Sequence, residues 1–72
     1  MGILKDLFCG VFNFHRQVFV EYAYASSERQ AWLVFCRRLA KKTGVYPQVT
    51  MNYFNGSKDN YSIRKEVEFD KD

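Results

Sequence analysis

A chain of 72 residues with 47% hydrophobic and 18% aromatic side chains is too apolar for disorder and too short for more than one core. Residues 1–72 are therefore expected to form a single small domain. Two cysteines exclude a disulfide framework, and the net charge of +3 is mild but uneven, with five cations and no acid from Arg29 to Lys42 against four acids and one lysine from Glu66 to Asp72.

At the N-terminus, Ile3, Leu4, Leu7 and Phe8 fall at helical spacing around Lys5 and Asp6, which predicts a short amphipathic helix over 1–10. A helix of that length is unstable alone and must dock, preferably on the domain's own core. One lysine on its polar side is too little for a membrane surface. Residues 11–16, where Phe12 and Phe14 alternate with Asn13 and His15, read as an extended lead-in. A strand follows over 17–25. Val18, Val20, Tyr22 and Tyr24 share one side, while Phe19, Glu21, Ala23 and Ala25 share the other. The first set is larger and is expected to face the core, leaving Phe19 exposed.

The best-defined element is a helix over 27–43. Ser27 is placed to cap it, Gln30 to complete a capping box, and Gly44 to end it in a left-handed conformation. Trp32, Phe35, Cys36, Leu39 and Ala40 form its apolar arc, and Arg37, Arg38, Lys41 and Lys42 the opposite one. The cationic last turn also suits the negative end of the helix dipole.

Residues 45–54 read as a second strand with Val49, Met51 and Tyr53 on one face and Pro47 at a start or an edge. A polar stretch from Asn55 to Asn60 reads as a hairpin connection. The third strand covers 61–69, with Tyr61, Ile63, Val67 and Phe69 inward and Ser62, Arg64, Glu66 and Glu68 outward. Lys65 interrupts the apolar side and is expected to snorkel to a rim. Residues 70–72 are expected to fray. The fold class is thus α+β: a small, three-stranded, mainly antiparallel βαββ sheet under one long helix. The third strand is expected in the middle, in the order 1-3-2.

The pattern offers little chemistry. Cys9 and His15 make a poor nucleophile–base pair, with no third group to orient them. One histidine and two isolated cysteines do not form a zinc pattern, so neither a metal nor another cofactor is expected. Glu66, Glu68 and Asp70 share a strand face and read as solvated. A Cys9–Cys36 bridge is disfavoured, and a reducing cytoplasm is the simpler setting. Asn55-Gly56-Ser57 and Asn60-Tyr61-Ser62 match glycosylation sequons, which mean nothing without secretion. No signal peptide or membrane span is read.

The function expected is therefore non-catalytic: a protein-binding module, such as a small inhibitor or accessory subunit. Arg37, Arg38, Lys41, Lys42 and Arg29 would meet an acidic protein surface. The alternative is a weak, sequence-independent nucleic-acid binder that uses the same residues on phosphates. A core this small supplies only about 3–5 kcal/mol, so homodimerisation is the expected extra source of buried surface.

Overall fold

A computed structural model describes residues 5–66. The elements run β1 (Asp6–Phe14), β2 (Gln17–Ala25), α1 (Glu28–Thr43), α2 (Pro47–Tyr53) and β3 (Tyr61–Lys65). The fold is α+β, a three-stranded antiparallel sheet in the order β2-β1-β3 with two helices.

β1 stands where a helix was expected over 1–10. Phe8, Gly10, Phe12 and Phe14 are buried in alternation, a period of two that glycine conceals because it adds nothing apolar to the pattern. Ile3 and Leu4 lie outside the described residues. Gly10 is required by close packing. A Cβ there would fall 2.6 Å from Phe12 Cε1 and 2.8 Å from Phe35 Cδ2. β1 turns into β2 through His15 and Arg16, both at positive φ (50° and 70°). That is the handedness a two-residue hairpin needs, achieved without the Asn-Gly pair that usually announces it. Phe14 pairs with Gln17 at the turn and Asp6 with Ala25 at the far end.

α1 begins and ends as the sequence indicates. The Ser27 hydroxyl accepts from the Gln30 backbone N–H at 3.2 Å, and Gly44 (φ 78°) donates to the Ala40 carbonyl at 2.9 Å. The Gln30 side chain reaches one residue further back than a capping box requires. It accepts from the Ser26 N–H and hydroxyl. Ala31, Phe35, Cys36, Leu39 and Ala40 are buried, and Trp32 is half-buried while donating to the Phe54 carbonyl at 2.8 Å.

The strand expected over 45–54 is α2 instead. Pro47 takes the first helical turn, where its missing N–H costs nothing. Thr50 and Phe54, four residues apart, are both buried. The Thr50 hydroxyl donates into the core, with the Cys36 carbonyl 2.8 Å away and that of Pro47 2.9 Å away. Asn55 to Asn60 therefore connect a helix to a strand and do not form a hairpin.

β3 keeps the predicted facing over its described part. Tyr61 and Ile63 pack on the core, Ser62 and Arg64 are exposed, and Lys65 reaches the rim to pair with Asp6 at 3.3 Å. Its expected continuation over 67–69 and the frayed tail over 70–72 lie outside the described residues. β3 is an edge, and the centre belongs to β1, which the predicted order 1-3-2 did not contain.

The core is largely aromatic. Phe12 contacts Phe35 and Phe54 edge-on and stacks on Tyr61, with ring centroids 4.9–5.6 Å apart. β2 faces it with Phe19, Glu21, Ala23 and Ala25, the set expected to point outward. Ala23 and Ala25 let the long helix lie close to the strand, and the bulkier row is turned away. Phe19 is half-buried against the core rather than exposed.

Candidate functional site

Two surfaces emerge from this arrangement. The first is the cationic side of α1, which the fold divides. Arg38 and Lys42 are one turn apart and lean over β2 to Glu21. Lys42 Nζ donates to the Glu21 carboxylate, and Arg38 lies 3.8 Å from it. Arg38 also donates to the Tyr22 carbonyl at 2.5 Å. Glu21 is itself buried, so these cations compensate its desolvation.

Arg38 also covers a sheet edge. Asn13 N–H donates to the Asn60 carbonyl, and the Leu7 carbonyl accepts from Glu66, so this row of β1 turns its backbone toward β3. The opposing row of β2 then points outward, and Arg38 caps one of its carbonyls.

Arg29, Arg37 and Lys41 remain exposed, and none of them has a carboxylate within ion-pair distance among the described residues. Arg37 and Lys41 form one stacked pair on α1. Arg29 sits apart, at the mouth of an open cleft of about 350 Å³ lined by Glu28, Trp32, Phe54, Tyr61 and Ile63. Of the five cations singled out by sequence, two are thus engaged internally and three face water.

The second surface is the side of the sheet away from the helices. It carries Leu7, Cys9, Val11 and Asn13 on β1, Val18, Val20, Tyr22 and Tyr24 on β2, and Ser62 and Arg64 on β3, with Glu66 just beyond. Val18 is 64% exposed, Val20 52%, Tyr22 53%, Tyr24 56% and Val11 39%. Cys9 is buried between Tyr22 and Arg64, its neighbours in register. The neighbouring Cys9 thiol raises the Tyr22 phenol above its ordinary value of 10.0. Arg64 pairs with Glu66 at 3.5 Å, so the face carries opposite charges side by side.

Sequence reasoning missed this surface because it assigned the Val18–Tyr24 row to the core. The signal was the pair Ala23 and Ala25, two small side chains on the rival face where a helix approaches.

Both cysteines are free and buried, Cys9 on the open side and Cys36 beneath α1. Burial pushes the Cys36 thiol up to about 12. His15 lies at the hairpin turn against Phe14 and Tyr53, in a different place from Cys9. Among the described residues, no group of three or more His, Cys, Asp or Glu side chains is placed to hold a metal ion. No helix among them is long and apolar enough to cross a membrane. Comparison with family models, with curated proteins and with solved structures found no match.

Proposed function

We propose that this chain is a non-catalytic protein-binding module whose principal contact surface is the open face of the sheet. The supporting observation is the row Val18, Val20, Tyr22 and Tyr24, flanked by Val11, in which each side chain is between 39% and 64% exposed. A continuous apolar and aromatic patch of this kind marks interaction surfaces, and tyrosine is enriched in them. The cationic side of α1 is a second contact, in which Arg29, Arg37 and Lys41 would meet an acidic protein surface. Roles as a small inhibitor or accessory subunit in a reducing cytoplasm fit this reading, as do the two thiols left unbridged.

The alternative, sequence-independent phosphate binding, would have to rest on those three helix cations. On the open face Arg64 is offset by Glu66, so tyrosine stacking there would lack an electrostatic partner.

Capture from the native host by the tagged chain tests the proposal. Val18→Lys with Val20→Lys should abolish capture, and Arg37→Glu with Lys41→Glu should weaken it. If both double variants fold and retain full capture, neither surface is the interface. Steep loss of RNA or DNA binding with added salt, centred on the helix pair, would favour the alternative.

A further inference from the structure

We infer that the open sheet face is covered by the same face of a second copy of this chain, sheet against sheet about a two-fold axis. This rests on the reading of that face as a contact surface and names its occupant.

Area is the first argument. The exposed fractions of Val11, Val18, Val20, Tyr22 and Tyr24 correspond to about 500 Å² per copy, hence about 1,000 Å² over two copies, where specific interfaces begin. The same patch lies toward the upper end of what a monomer ordinarily leaves exposed. Charge is the second. Among the described residues, the strand positions of this face carry Arg64, and Glu66 follows just beyond β3, 3.5 Å away. Arg64 and Glu66 thus form an offset, self-complementary pair on this face. A polyanion or an acidic protein gains no net attraction from it, whereas a two-fold axis can set Arg64 of one copy against Glu66 of the other.

Shape is the third argument. Two twisted sheets pack about 10 Å apart through interdigitating side chains, and a row with two valines at one end and two tyrosines at the other provides such relief. Val18, Val20, Tyr22 and Tyr24 form one continuous row along β2, and Leu7, Cys9, Val11 and Asn13 the adjacent row on β1. Pairing through the β2 edge is less suitable, because Arg38 already caps the Tyr22 carbonyl there.

Sedimentation of the full chain over a micromolar concentration series tests the inference, with circular dichroism confirming that each variant is folded. The wild type should dimerise with rising concentration, and Val20→Lys should remain monomeric. Should Val20→Lys not fold, Val18→Lys, at a still more exposed position, serves in its place. Arg64→Glu should weaken the dimer by about tenfold, since the axis repeats the pair. Adding Glu66→Arg to that variant should restore it. A wild type that stays monomeric overturns the second-copy inference. If Val20→Lys then still abolishes host capture, the reading of the face as a binding surface survives that result. A dimer unaffected by both lysine variants overturns the second-copy inference, and host capture by the same variants then decides the reading of the face. A dimer lost with Val20→Lys but not rescued by the charge exchange overturns the Arg64–Glu66 alignment.

Discussion

Gly10→Ala is a stringent check on the packing of α1 over the sheet, because two rules predict opposite signs. Glycine inside a strand is ordinarily a weakness, and replacing it with alanine stabilises by about 0.4–1 kcal/mol through the unfolded state. Here the added methyl would stand 2.6 Å from Phe12 Cε1 and 2.8 Å from Phe35 Cδ2 and Cε2. Relief to an ordinary 3.4 Å contact requires shifts of 0.8 Å (3.4 minus 2.6) and 0.6 Å (3.4 minus 2.8). Both rings are fully buried, and Phe12 is also fixed by Phe54 and Tyr61. Overpacking of this kind costs about 1–3 kcal/mol, which leaves a net loss of about 1–2 kcal/mol after the backbone gain. For a domain of this size that lowers the melting temperature by about 5–15 °C. Thermal and urea unfolding followed by circular dichroism measure it. Phe35→Leu in the same chain should recover part of the loss, since the two substitutions share one space. An alanine variant as stable as the wild type, or more so, would refute the packing argument.

Other predictions concern the polar and thiol groups of the core. Lys42→Ala, which leaves the buried Glu21 carboxylate with Arg38 alone beside it, should destabilise by about 1–2 kcal/mol in urea unfolding, while Glu21→Gln, which removes the buried charge and keeps an acceptor, should cost less than about 1 kcal/mol. Equal costs would show that burial of Glu21 is not what the ion pair compensates. Thr50→Val removes a buried hydroxyl donor facing the Cys36 and Pro47 carbonyls and should cost about 1–2 kcal/mol by the same measurement. Cys36, pushed by burial from 9.0 to about 12, should resist thiol reagents at neutral pH until the chain unfolds. Between those two values the unfolded chain releases the thiol proton and the folded chain keeps it, so stability should fall as pH rises. Comparing the pH dependence of unfolding in wild type and Cys36→Ala isolates that slope, and identical slopes would contradict the assignment.

The elements differ in how plainly the chain announces them. The facing of Tyr61, Ser62, Ile63 and Arg64 was legible because polar and apolar side chains alternate there without competition. β1 was obscured because Gly10 occupies a core position without adding to the apolar pattern, and because Leu7 and Phe8 sit on opposite faces while mimicking helical neighbours. α2 was obscured by its length: seven residues hold less than two full repeats of a helical period, so Val49, Met51 and Tyr53 passed for alternation. The hairpin at His15 and Arg16 lacks the Asn-Gly or Asp-Gly pair that announces positive φ at both positions, and only the pairing of the two long strands reveals it. The candidate surfaces follow the same division. The cations of α1 were legible as a group, but the removal of Arg38 and Lys42 from it depends on Glu21, 17 and 21 positions earlier in the chain.

α1 could be written down from its own residues, from the Ser27 cap to the left-handed Gly44, because capping and a 3.6-residue period are satisfied within one segment. The orientation of β2 could not. Both of its faces carry apolar side chains, and the choice rests on the space left beneath α1, where Ala23 and Ala25 fit and tyrosines would not. That space exists only once helix and strand have met, and it is what turns Val18, Val20, Tyr22 and Tyr24 toward solvent.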